Sequence, residues 1–274
     1  MAGAEPFHAP FLDAPPDFAI GLRPIDEDAW LEGGEADPQV RKDVLFATVR
    51  DTVWGEIVGS RAGQEEALAT VRAAGVAVDE SGDLPPLYRA ARVLADDLCL
   101  MATRDGVWRL CALSLSSPTF FTAAGVLGRS LAELHGPVPA FGERFLARVE
   151  RIFNGLRDGL ILERRNWTVV NSDALFTPDP APIRARIGEI AASQAGERLY
   201  IRIERQTLRR LPATGSALFT IRVRLFPLAE LRTDPVRLAA FASAWRSAGD
   251  AFRGYKKLHL YDPLVEAFLR ASGE

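Results

Sequence analysis

The sequence predicts an α+β domain: one antiparallel sheet of about five strands, with helices packed at both ends. Three observations carry this. Period-two alternation is clear in "LYIRIERQTL" and "ALFTIRVRL". An Asp-Gly pair at Asp105-Gly106 sits between two apolar runs, the pattern of a tight hairpin. Helical periodicity dominates both ends of the chain.

Residues 1–20 are rich in proline and read as an extended arm, leaving 21–274 as a single domain. "DPQVRKDVLFATVRDTVWGEIVG" places Val40, Val44, Leu45, Val49, Val53, Trp54 and Ile57 near helical spacing. "QEEALATVRAAG" reads as a second helix stopped by Gly75, and "LYRAARVLADD" as a third. The hairpin follows, from "LCLMAT" to "VWRLCALSLS". About 45 residues then leave the sheet with helical character, broken only by Gly136-Pro137-Val138-Pro139. "LILERRNWTVV" reads as the third strand and "PIRARIGEIAAS" as a short helix. In the fourth strand Leu199, Ile201 and Ile203 share a face, which Arg205, Thr207 and Arg209 continue. In the fifth, Thr220, Arg222 and Arg224 face away from Ala217, Phe219 and Ile221. The segment from "LAELRTDPVRL" to the end is helical.

Composition excludes several classes. The 274 residues are 48% hydrophobic and 25% charged, with a net charge of −3, so no general nucleic-acid footprint is present. No apolar run reaches the length of a membrane span, and the start of the chain lacks a secretory signal. A cytoplasmic protein with two reduced core cysteines, Cys99 and Cys111, is the expectation. GxSxG, Walker-type, HExxH and GxGxxG motifs are all missing. With three histidines and no CxxC pair, a metal would need one histidine plus a cofactor. A haem iron held by one imidazole meets that description.

His135 is the candidate ligand. It ends an apolar stretch (Val126, Leu127, Leu131, Leu134), and two prolines behind it stiffen the backbone that sets its ring. The other reading is a histidine that bonds the last carbonyls of a helix. His8 and His259 have no comparable setting. Arg205, aimed at an apolar interior, needs a partner. Glu163, Glu204 or an anionic ligand can supply it. Asn166 can donate to a ligand or satisfy backbone, while Tyr255 and Lys256 in "GYKKL" read as a surface patch.

"GLRPID", "DDLCLM", "LAELHGPVPAF", "NWTVVNSDALF", "RIERQTLRRLPATGSALFTIR" and "GYKKL", in that order, resemble the haem-dependent oxidative N-demethylase α-subunit family. The resemblance covers Gly21 to Lys257. It implies a PAS-like sheet, whose chain order agrees with a hairpin, a helical excursion and three further strands. It implies haem b, with His135 as iron ligand from the excursion between the second and third strands. It also implies O2-dependent oxidation of a small secondary alkylamine such as dimethylamine. Electrons would come from partner subunits carrying flavin and an iron–sulfur centre. On this reading Arg205 polarises bound oxygen, Arg209 meets a propionate, and Glu204 balances the substrate ammonium if a bulge turns it inward. A haem-based gas-binding or sensory protein without turnover is the other reading.

Overall fold

The computed structural model describes residues 8–13, 16–33, 37–80 and 83–274. Seven strands form one antiparallel sheet: β1 (Arg23–Ile25), β2 (Trp54–Glu56), β3 (Asp97–Arg104), β4 (Val107–Ser114), β5 (Ile161–Val170), β6 (Tyr200–Arg210) and β7 (Ala217–Pro227). Their spatial order is β1-β5-β6-β7-β3-β4-β2. The five long strands are the expected ones. The sheet exceeds the expectation of about five by β1 and β2, each only three residues long and lying at an edge. Three residues are too few to display alternation, and Pro24 in β1 is tolerated there because an edge strand can spare a donor.

Asp105 and Gly106 have φ of 51° and 78°, the two positive values that a two-residue hairpin turn demands. β3 and β4 shift register between Leu100 and Met101, so Cys99 pairs with Leu113 while Cys111 falls in the bulge. Both thiols are buried and free.

Period-two geometry gives the sheet two unlike faces. On one side lie Ile161, Glu163, Trp167, Ile203, Arg205 and Thr207, covered by the helical ends of the chain. Trp30, Leu68 and Leu87 anchor the N-terminal part of that cover, Phe241, Trp245 and Phe268 the C-terminal part. On the other side lie Leu162, Arg164, Asn166, Glu204, Gln206 and Leu208. Its cover is the excursion between β4 and β5, packed through Leu131, Phe153 and Leu156 against Cys99, Met101 and Leu208. Each fully buried aliphatic or aromatic side chain contributes about 1.5–3 kcal/mol.

Three local expectations are corrected. The segment Asp37–Gly59 is not one helix. It breaks at Val49 (φ −137°, ψ 44°) after the helix Pro38–Thr48, and Trp54 enters a strand. The first turns of its apolar stripe are also turned outward. Val40 and Val44 are 61% and 56% exposed, while Lys42 is buried and donates to the carbonyls of Ala91 and Asp96 at 2.8 and 2.5 Å. A buried ammonium satisfied by carbonyls overrides hydrophobic spacing here. The arm is not simply extended: Pro10–Asp13 forms a helical turn, and Phe11 packs edge-on against Trp167 and Phe241, each centroid 5.5 Å away. Residues 1–7 and 14–15 of that arm, and Gly82 in the loop before "LYRAARVLADD", lie outside the described residues.

Candidate functional site

The excursion delivers His135 by a short, well-capped turn. Ser130 and Glu133 form a reciprocal capping box around Leu131–Leu134, with bonds of 3.3 and 2.7 Å. His135 closes the turn, and its Nδ1 lies 2.8 Å from the Leu131 carbonyl. A carbonyl only accepts, so Nδ1 carries the proton and Nε2 presents a lone pair. Burial lowers the imidazole pKa, and the nearby Arg164 charge lowers it further, against the opposing pull of the Leu131 carbonyl. The ring is therefore neutral at neutral pH.

The Gly-Pro-Val-Pro run explains the rest. Val138 N bonds the His135 carbonyl at 2.8 Å and Phe141 N bonds that of Val138 at 3.2 Å. Ala140 then takes φ 53°, a left-handed turn. The chain folds back and lays Phe141 on the imidazole, centroids 4.3 Å apart and planes 6° from parallel. Past Phe141, Gly142–Leu146 is a π-helical stretch leading into the helix Ala147–Asn154. The stiff segment thus fixes the plane of the ring through its face, leaving the in-plane Nε2 unblocked by Phe141. The bond to Leu131 is also what the plainer helix-end reading anticipates. The two are compatible, because metal-bound histidines commonly anchor the other ring nitrogen on a backbone carbonyl.

Glu204 lies on the same side of the sheet as the excursion, with no bulge in β5 or β6. Thr119 Oγ1 donates to its Oε1 at 2.5 Å and Gln206 Nε2 to its Oε2 at 3.1 Å. Burial by itself raises the Glu204 pKa, but Lys256, the Thr119 hydroxyl, Arg202 and Arg164 together hold it below the ordinary carboxylate value. Cross-strand from it is Asn166, whose Oδ1 accepts from Lys256 Nζ at 2.9 Å. Lys256 reaches over from the helix Asp250–Lys256, and burial pushes its pKa down to about 8 against the pull of Glu204. Arg202 is saturated: it donates to Thr119 Oγ1 at 2.9 Å and to the carbonyls of Ser117 and Leu175 at 2.8 and 3.1 Å. That guanidinium ties the loop after β4 to the loop after β5.

The structure therefore places His135, Glu204 and Asn166 on one side of the sheet, and Arg205 and Arg209 on the other. Arg205 is on the opposite side, where Nε meets Glu163 Oε2 at 2.5 Å and the other nitrogens bond the carbonyls of Trp30 and Ala29 at 2.8 and 2.5 Å. Arg209 pairs with Glu27 at 2.7 Å and stacks 4.1 Å over Trp30. Glu163 was among the partners expected for Arg205 and is found there, with Glu32 as a second carboxylate at 3.1 Å that the sequence did not suggest. Both guanidiniums therefore make their contacts on the side of the sheet away from the excursion that carries His135. Sequence reasoning missed Arg164 and Lys256. Arg164 was findable as the residue two before Asn166 on a strand. Tyr255 is exposed as expected, but Lys256 is half-buried in the polar cluster.

Among the described residues, no group of three or more His, Cys, Asp or Glu side chains is placed to hold a metal ion. A metal bound here needs ligands from a cofactor, as porphyrin nitrogens provide. The donor set fits such a group: one neutral imidazole, its far nitrogen anchored and Nε2 without a protein hydrogen bond among the described residues. Two clefts of about 290 and 280 Å³ lie elsewhere, one between Ile20–Leu22 and Arg148, Arg151 and Ile152, the other around Asn171, Arg186, Arg198 and Tyr200. No helix among the described residues is long and apolar enough to cross a membrane.

A family model described as "haem-dependent oxidative N-demethylase, alpha subunit-like" matches residues 55–265. That span takes in the end of β2, all of β3 through β7, the excursion bearing His135, and both Glu204 and Lys256. The family is haem-dependent and named for one subunit of a larger assembly. This chain belongs to the haem-dependent oxidative N-demethylase α-subunit-like family.

Proposed function

We propose that this chain is a haem-carrying subunit of an O2-dependent amine demethylase, with His135 Nε2 as the protein ligand to iron and Glu204 receiving the ammonium of a small secondary amine such as dimethylamine. The single observation that carries this reading is the position of an anchored, neutral His135 over the sheet face that also bears Glu204. When bound, haem supplies O2 activation and the oxidation of an N-methyl group, chemistry beyond any side chain here.

The chain's own residues bind and orient. Glu204 stays ionised at neutral pH, and its two hydrogen bonds leave lone pairs for an ammonium donor. Asn166 receives Lys256 and the Trp167 amide at its Oδ1, which leaves the amide nitrogen free to donate. Lys256, with its pKa near 8, can hold or release a proton beside Glu204 at working pH. The excursion cover includes two isolated four-residue helical turns, the elements least able to stand alone. It is the layer suited to opening for haem. The chain has no CxxCH attachment motif, which supports non-covalent haem b. Two buried free thiols support a reducing, cytoplasmic setting. With no motif for flavin or an iron–sulfur centre, electrons come from partner subunits that carry them.

The long strands run β4-β3-β7-β6-β5, first hairpin strand beside the last strand, an order that supports a PAS-like sheet. That scaffold is the reason to keep the gas-binding sensor as a second reading. An absorption spectrum of protein prepared with haem, taken before and after dimethylamine, separates the two. The demethylase reading expects a haem band that shifts with the amine, and formaldehyde release with an electron donor. Binding of O2, CO or NO with no response to amines favours the sensor, and colourless protein overturns both.

A further inference from the structure

Arg164 stands out among the charged side chains of the excursion face. It points from the middle of β5 to the side carrying Glu204, Asn166 and Gln206, directly across from Gln206 in the register. Its guanidinium has no hydrogen bond and no ion pair among the described residues, and it is half-buried. Its nitrogens still reach solvent, so the planar fork of donors stands open to an incoming acceptor.

The surrounding charges sharpen the point. Two carboxylates act on these cations: Glu204, whose oxygens are bonded by Thr119 and Gln206, and Asp97 behind Arg202, whose oxygens are taken by Ser116 and Ser117. Against Glu204 stand Arg164, Arg202 and Lys256, all of which act on its charge. Arg202 is satisfied by carbonyls of two loops, but Lys256 uses only one donor, to Asn166. The cluster is therefore cationic in excess, with one guanidinium wholly uncommitted and one ammonium partly so. Arg164 also lies close enough to His135 to depress its protonation. A bare alkylammonium leaves this excess uncompensated.

The geometry points to a carboxylate-binding site formed by Arg164, with Lys256 as its second cation, on the excursion face beside His135. A guanidinium takes a carboxylate bidentately, and the ammonium adds a third donor from the helix Asp250–Lys256. Two sources have this chemistry: a propionate of a porphyrin held by His135, or the carboxylate of an N-methylated amino acid whose ammonium goes to Glu204. The first source rests on the proposed haem function; the second does not.

The test uses matched pairs on the whole chain freed of cofactor. Haem is compared with its dimethyl ester by absorbance titration, and N,N-dimethylglycine with dimethylamine by calorimetry. In one pair the carboxylate form binds at least tenfold more tightly, and Arg164→Gln removes that preference while Lys256→Gln reduces it. Preference for haem over its ester assigns the site to a propionate; preference for dimethylglycine assigns it to the substrate. If haem does not bind at all but dimethylglycine does so through Arg164, the haem function falls and the carboxylate site stands. No preference in either wild-type pair overturns the inference. A preference that survives Arg164→Gln at unchanged Tm does so too. Should Arg164→Gln fail to fold, the wild-type pairs and Lys256→Gln decide alone.

Discussion

Arg205 and Glu163 meet at 2.5 Å on the diagonal between β6 and β5, an ion pair only 1% and 4% exposed and on the side of the sheet away from His135. Arg165, at 3.2 Å, and Arg23 share the same carboxylate. Removing Arg205 takes the shortest of these contacts, and the one on Oε2, from a carboxylate with almost no solvent to replace it. Arg205→Ala is expected to cost about 3–5 kcal/mol by urea unfolding, while the folded fraction binds one equivalent of haem as wild type does. A variant of unchanged stability that lost haem would return Arg205 to the site.

The same pair sets an acid limit. Burial alone raises the Glu163 pKa, but Arg205 and Arg165 overcome it and hold the carboxyl below its ordinary 4.5. A carboxyl depressed on folding contributes its full stability above the unfolded value, and that contribution is lost as pH falls through the folded value. Wild type should therefore lose stability below about pH 4.5 more steeply than Glu163→Gln. Urea midpoints from pH 6 to pH 3 check this, and parallel curves would show that the pair does not govern acid unfolding.

What the sequence disclosed follows from which patterns are long enough to read. β6 and β7, eleven residues each, show their alternation openly, and Asp105-Gly106 names its own turn. β1 and β2, at three residues, carry no period, and Trp54 was drawn into a helix because Val49 and Val53 precede it at helical spacing. Alternation placed Arg205 on the face of Ile201 and Ile203 correctly, yet said nothing about which layer covers that face. The excursion covers the other one, so Glu204 needed no bulge. Lys256 was illegible for a different reason: its place beside Asn166 depends on where a helix ninety residues further along the chain docks.

Phe141 offers a way to test the rigid segment behind His135. Stacked aromatic rings gain about 0.5–1.5 kcal/mol beyond the area they bury. Phe141→Leu keeps most of the apolar volume but releases the plane of the imidazole. Haem affinity is expected to fall about tenfold, the equivalent of about 1.4 kcal/mol, with Tm nearly unchanged. His135→Ala should abolish haem retention altogether. Equal affinity for wild type and Phe141→Leu, measured by the haem band, would mean that the Gly-Pro-Val-Pro turn serves packing and not ligation.

Lys256 acts in the alkaline range, where its release of a proton relieves a cost of folding. Its pKa falls from an ordinary 10.5 to about 8 on folding, chiefly through burial that Glu204 only partly offsets. Between those values the unfolded chain binds the proton that the folded chain has released, so stability rises with pH across this window. Below pH 8 both states are protonated and the full burial cost is felt. Lys256→Met removes the group, so the difference between variant and wild type should be largest below pH 8 and shrink as pH approaches 10.5. Methionine has to be read against the loss of the bond to Asn166, which lowers stability by a similar amount at every pH. Slope, not offset, is therefore the diagnostic. Urea unfolding at pH 7, 8, 9 and 10 supplies it, and a pH-independent difference would place the Lys256 ammonium in water, away from the Glu204 cluster.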